Sequence, residues 1–251
     1  MLRQIQKRSS GSTAIPLFLF HDASGTISSY YALGPMGRDV YAIANSRMDS
    51  DEPESMRDMG RRYYAAIKAV VPKGRIMLGG WSLGGMIALQ VAWICVRDPC
   101  LAVDGIVMID SPFPDYRHVE YMGAESPISE DAPSPAKMKL DKAILRTVNT
   151  LHSWQPPVWR RQRQPYTLML CATESVQNEG YSAALSFVDQ FRDSPTLGWN
   201  ERASSIVIDK SYPIKGHHFN VLEPKNVAFL TETMATIAEG IDLVSFQDDD
   251  E

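Results

Sequence analysis

The sequence predicts an α/β fold, with a mostly parallel central sheet flanked by helices on both faces. Three observations predict it. Short apolar runs alternate with helical stripes along most of the 251 residues, the order that builds a parallel sheet. The β-branched run Gly105–Ile109 reads as a central strand buried on both faces. The length, with 44% hydrophobic and 22% charged residues, suits one large domain with a real core.

The elements follow in order. Ile15–Phe20 is the first apolar strand, with Pro16 placing its start near an edge. Val40–Ala44 is a second short run. From Pro53 to Val71, apolar side chains recur at Met56, Met59, Tyr63, Ile67 and Val70, one stripe of a helix that Pro72 ends. Arg75–Gly79 reads as a strand, and Leu83–Val96 as a helix apolar on most faces and therefore buried. Gly105–Ile109, Tyr166–Cys171 and Ser205–Ile208 are further strands, and Pro224–Gly240 is a closing helix with proline at its start and glycine at its end.

Between Pro112 and Pro165 the rhythm breaks. Prolines 114, 127, 133, 135, 156 and 157 fall here, and one helix fits among them, with Leu140, Ile144, Val148 and Leu151 on one face. Insertions this long in a compact fold usually serve a function. The segment from about 113 to 165 is expected to form a helical lid. Residues 1–13, with Arg3, Lys7 and Arg8 and no acid, read as a flexible lead to a domain spanning 14–241, and residues 242–251 as an acidic tail.

Composition narrows the function. The net charge of −5 gives no broad nucleic-acid footprint and disfavours anionic membranes. No apolar run has the length of a bilayer span, and Ile15–Phe20 is too short for a signal-peptide core. Three scattered cysteines (Cys95, Cys100 and Cys171) form no disulfide framework and fit a reducing compartment, so a cytoplasmic protein is expected. No metal-ligand spacing, dinucleotide fingerprint or phosphate loop appears, so neither a metal nor a bound cofactor is expected.

The strongest motif is Gly80-Trp81-Ser82-Leu83-Gly84, followed by Gly85. It stands between a predicted strand and a predicted helix. That is the setting of a nucleophile elbow, and it specifies the α/β-hydrolase fold. Small residues let strand and helix approach, and the Ser82 hydroxyl projects above the sheet. A serine hydroxyl needs a neighbouring base. In this fold the base follows the last strand, so His217 and His218 both qualify; His118 and His152 read as surface or lid residues. The acid should end a strand, and Asp110 and Glu174 both do; Asp104 begins one, at the wrong edge. An oxyanion hole would take one N–H from Leu83 and one from the loop His21–Thr26, with Ala23 as donor.

Four blocks together carry a resemblance: Leu17-Phe18-Leu19-Phe20-His21-Asp22-Ala23-Ser24-Gly25, Leu78-Gly79-Gly80-Trp81-Ser82-Leu83-Gly84-Gly85, Met108-Ile109-Asp110-Ser111-Pro112 and Gly216-His217-His218-Phe219. In this order the chain resembles the thioesterase domains of polyketide synthases and nonribosomal peptide synthetases, those of fungal polyketide synthases above all. The resemblance runs from about residue 15 to about residue 240. It implies that Asp110 is the acid, His218 the base and Ala23 an oxyanion donor. Relatives often carry another residue where His21 stands.

The resemblance further implies an acyl chain held as a thioester on the phosphopantetheine of an acyl carrier protein, with that carrier or its polyketide synthase as partner. Release of the chain by hydrolysis, lactonisation or Claisen cyclisation is left open. His21, Trp81, Trp154, Trp159 and the Leu140–Leu151 face are expected near substrate, and Arg160, Arg161 and Arg163 near the carrier or its phosphate. An ordinary esterase or lipase, or a silent binding protein on the same scaffold, are the competing readings.

Overall fold

The computed structural model describes residues 1–48, 50, 52–115, 135–159, 162–176, 187–203 and 205–248. Among the described residues seven strands form one sheet in the order β1-β3-β2-β4-β5-β6-β7. They are β1 (Leu2–Gln6), β2 (Leu17–Phe20), β3 (Val40–Ile43), β4 (Gly74–Trp81), β5 (Leu101–Ile109), β6 (Tyr166–Ala172) and β7 (Lys210–Ile214). Every pairing is parallel except β1 with β3. The helices are α1 (Met56–Val70), α2 (Leu83–Cys95), α3 (Pro135–His152), α4 (Trp199–Arg202) and α5 (Val227–Asp248).

Alternation along the strands splits the core in two. Phe18, Phe20, Ile76, Leu78, Ile106 and Met108 face α1 and α2. Their neighbours Leu17, Leu19, Met77, Val107 and Ile109 face α5 and a 3-10 turn at Ser28–Ala32. The period of two makes both faces apolar, as a sheet covered on both sides requires. In α1 the stripe Met56, Met59, Tyr63 and Ile67 is buried. The helix starts at Met56, inside the expected Pro53, because the Ser55 hydroxyl accepts the Asp58 N–H at 3.1 Å and caps it.

Three sequence expectations are corrected. Residues 1–13 are not all a loose lead: β1 closes the sheet edge, pairing Leu2 with Ile43. Its polar alternation, LRQIQ, carries no core signal. Ser205–Ile208 is not a strand. Ile206 and Ile208 are buried, but side chains satisfy the neighbouring backbone: Asn200 bonds both N–H and C=O of Ile208, and Gln164 does the same for Val207. The strand is β7, which pairs Lys210 with Leu168 and tolerates Pro213 as an edge position. Nor does the last helix end at Gly240. A Cβ there would meet nothing within 4 Å, Ile241 and Ser245 continue the buried stripe, and Asp242 is ion-paired at 3.1 Å with the buried Arg38. Residues 242–248 are therefore helical and anchored rather than a loose tail.

The strand order reverses between β2 and β4, so the loops after these strands part and leave a crevice at the carboxyl end of the sheet. α3, the one helix expected in the lid, lies over that end: Thr147 Oγ1 donates to the Ala23 carbonyl, Arg146 to that of Met48, and Thr150 to that of Glu54. His118 and the prolines at 127 and 133 of the lid, with Arg160, Arg161 and residues 249–251, lie outside the described residues.

Candidate active site

β4 ends at Trp81 and α2 begins at Leu83, so Ser82 makes the whole turn. Its φ of 56° is positive, a strained value for a side-chain-bearing residue. The turn closes only because its flanks lack side chains: a Cβ on Gly80 would lie 2.7 Å from the Gly84 Cα and 2.8 Å from the Phe20 carbonyl oxygen. Ser82 holds the N-cap position of α2, yet its hydroxyl makes no capping bond. It meets His218 instead, with Oγ 3.0 Å from Nε2.

His218 follows β7 on a loop braced by asparagines. Asn220 accepts the His217 N–H at 2.8 Å, and the Asn226 amide donates to both the side chain and the carbonyl of Asn220. His217 is buried, and its Nδ1 accepts the Phe219 N–H, so it belongs to this brace. The Trp81 indole donates to the His218 carbonyl at 3.0 Å and packs against the imidazole. The Trp81 backbone N–H goes to the Tyr30 hydroxyl.

Asp110 follows β5 and is fully buried. Its Oδ2 lies 2.8 Å from His218 Nδ1, and its Oδ1 accepts the Ala172 N–H at 2.8 Å. Burial pushes its pKa up, but bonds from His218 and Arg192 overcome this and hold it down at about 2. Asp110 is therefore ionised, Nδ1 of His218 carries the proton, and Nε2 is free to accept the Ser82 hydroxyl. Glu174, the other acid the sequence offered, is exposed on the loop after β6. Asp104 pairs with Arg75.

Leu83 is the first residue of α2, so its N–H has no helical acceptor. The loop after β2 is folded by Asp22, whose carboxylate accepts the Ser24 N–H at 2.9 Å. A cavity of about 600 Å³ opens beside Leu83 and Ala23 and runs between the loops after β2 and β3, the start of α1 and one side of α3. Arg146, Thr147 and Thr150 line it from α3, and Ser153 from the turn just after it. Val148 and Leu151 of the expected apolar face are buried instead, Leu151 in the core beneath. The side chain of Leu140 lies outside the described residues.

His21 borders this cavity but keeps its ring bonds inside the protein. Nδ1 lies 2.7 Å from the Asp22 carbonyl and Nε2 lies 2.6 Å from the Tyr63 hydroxyl. Burial lowers its pKa to about 4, so the ring is neutral, donating at Nδ1 and accepting at Nε2. Trp154 lines a second cavity of about 460 Å³ beyond α1 and α2, where its indole donates to Gln90. Trp159 packs against the α2-side core. Arg163 is exposed.

One neighbour has no signal in the sequence. Arg192, on the loop before α4, sends Nη1 to Asp110 Oδ1 at 2.5 Å and Nη2 to Oδ2 at 3.0 Å. It stands 82 positions from Asp110 in no motif, so only the fold brings the two together.

Among the described residues no group of three His, Cys, Asp or Glu could hold a metal ion, and no helix is long and apolar enough to cross a membrane. The model of the thioesterase domain family matches residues 15–138. A thioesterase of Fusarium pseudograminearum (strain CS3096) is 58% identical over 251 residues, covering 100% of both chains. This chain belongs to the thioesterase family. Thioesterase frbD of Dothideomycetidae sp. (strain 11243) is 33% identical to this thioesterase over 248 residues, covering 96% of this chain and 95% of its own. Among solved structures, the NocB thioesterase domain from the nocardicin cluster superposes with a TM-score of 0.66 at 22% identity, covering 91% of this chain and 95% of its own. At that identity the likeness speaks for the α/β-hydrolase fold alone. The thioesterase is a hydrolase, and its parallel sheet and strand-to-helix elbow at Ser82 are those of the fold.

Proposed function

We propose that this thioesterase releases an acyl chain, polyketide or peptidyl, from the phosphopantetheine thioester of an acyl carrier protein through an acyl-enzyme on Ser82. The observation that carries the reading is the unbroken hydrogen-bonded chain Asp110–His218–Ser82 at a strained strand-to-helix turn. The names of the relatives support the thioester as substrate. A carrier protein or its synthase as partner is what the resemblance to the thioesterase domains of polyketide synthases and nonribosomal peptide synthetases implies. The protein brings no prosthetic group of its own; the phosphopantetheine arrives with the substrate. Three free cysteines fit a cytoplasmic location.

The proposed cycle has two halves. His218 Nε2 takes the Ser82 proton while Oγ attacks the thioester carbonyl carbon. The oxyanion takes the N–H groups of Leu83 and Ala23, with the positive end of α2 behind Leu83. The carbon–sulfur bond breaks, and His218 returns the proton to the leaving thiolate. Water, or a nucleophile within the chain, then gives its proton to His218 and attacks the ester carbonyl carbon; the bond from that carbon to Oγ breaks, and His218 returns the proton to Ser82. Asp110 stabilises the imidazolium formed at each stage.

The test is intact-protein mass spectrometry of wild type and Ser82→Ala after incubation with a short acyl pantetheine thioester, with thiol release assayed in the same samples. Acylation and thiol release by wild type alone are expected. An adduct on both proteins would move the nucleophile elsewhere, and thiol release by neither would remove the thioester as substrate.

A further inference from the structure

We propose that Arg192 is a positioning residue for the acid, and that its guanidinium, forked onto Asp110, keeps the Ser82–His218 pair active toward acidic pH. The proposal rests on the reading above that Asp110, His218 and Ser82 act as one unit. Arg192 contacts no atom of Ser82 or His218 among the described bonds; it acts through Asp110.

The fork is built, not incidental. Both carboxylate oxygens of Asp110 take a guanidinium nitrogen, the geometry that fixes a carboxylate in its plane. Nη1 also donates to the Ala172 carbonyl at 3.1 Å and Nη2 to that of Val188 at 3.3 Å. Nε is held at 3.1 Å by Asp189, whose other oxygen accepts the Val176 N–H and the Ser175 hydroxyl. Thus all three guanidinium nitrogens are placed by the protein. The side chain is only 12% exposed and Asp110 is not exposed at all, so solvent screens the pair weakly. Asp110 itself sits at a φ of 43°, a strained backbone value like that of Ser82, which the surrounding structure must hold in place.

The charges around the pair give the direction of the effect. Facing Asp110 are His218 from the loop after β7, Arg192 and Asp189 from the loop before α4, and Cys171 from β6; Asp22 faces His218 from the loop after β2. Burial pushes the Cys171 thiol up to about 11, so it adds no charge at neutral pH. Arg192 is the only cation in this set other than a protonated His218. It offsets the negative field of Asp110 at the imidazole. Without it, the field of Asp110 at the imidazole would be uncompensated, and the reactivity of Ser82 should fall most on the acid side of its pH profile.

The test is the pH dependence of Ser82 phosphonylation by a simple fluorophosphonate, beside thioester turnover, in wild type, Arg192→Met and Arg192→Lys. For Arg192→Met the acid limb of the profile should move to higher pH, with labelling about tenfold slower near pH 6 and only a few-fold slower near pH 9. Arg192→Lys keeps the charge but not the fork. It should restore the limb while remaining slower at every pH. The Michaelis constant should stay unchanged in both. A limb that does not move in folded Arg192→Met overturns the proposal. If that variant does not fold, Arg192→Lys decides: wild-type rates at all pH values overturn it, and a uniform loss supports the fork. Labelling that responds as described with no thioester turnover in wild type would sink the substrate reading and leave this one standing.

Discussion

Gly80 and Gly84 face each other across the turn that carries Ser82, so closely that a Cβ on Gly80 would lie 2.7 Å from the Gly84 Cα. Backbone meets backbone here, and no rotamer can relieve an added methyl. Gly80→Ala should therefore cost roughly 1–3 kcal/mol of stability through overpacking and displace Ser82 from His218. Denaturant melts and Ser82 labelling check both. Wild-type labelling in a folded variant would mean that the turn can open without loss.

The acid can be tested against its rival. Asp110→Asn keeps the shape but offers His218 the wrong hydrogen-bond pattern, and turnover should fall by roughly 10⁴-fold. Glu174→Gln removes an exposed charge and should leave turnover within about twofold. A larger loss at Glu174 than at Asp110 would exchange their roles.

His21 should make the fold sensitive to acid. It is neutral in the fold, with its pKa lowered from 6.5 to about 4. Between those values the unfolded chain binds a proton that the folded chain does not. The contribution is thus complete above pH 6.5 and is lost as pH falls toward 4. The drop in unfolding free energy should approach about 3 kcal/mol. His21→Asn should flatten this part of the stability–pH curve, measured by urea denaturation. A curve that keeps its slope would place the sensitivity elsewhere.

The cavity under α3 is lined by the polar side of that helix. Replacing Thr147 and Thr150 with leucine adds bulk there without touching Ser82. Thioesters with long acyl chains should lose turnover by about tenfold through a raised Michaelis constant, while acetyl thioesters keep theirs. Equal effects on both lengths would mean that the acyl chain lies elsewhere.

Much of this was legible in the sequence because it rests on local rules. The β-then-α order, the stripe of α1, the all-round apolar α2 and the Gly-Trp-Ser-Leu-Gly turn are set by periodicity and by residues that tolerate close approach. The errors fell where those rules give no signal. β1 and β7 are polar edge strands, and β7 even carries a proline, because an edge needs neither two apolar faces nor every N–H. Ile206 and Ile208 look like a strand because burial alternates, although Asn200 and Gln164 rather than a ladder satisfy the backbone there. The residues themselves point to Ser82 as the serine of the turn but offer two histidines and two acids. Tertiary structure brings His218 and Asp110 to it, turns His217 into the Asn220 brace and leaves Glu174 in solvent. Arg192 was wholly a matter of tertiary structure. An ion pair between residues 82 positions apart leaves no local pattern, and it exists only because the loop before α4 folds back against the end of β5.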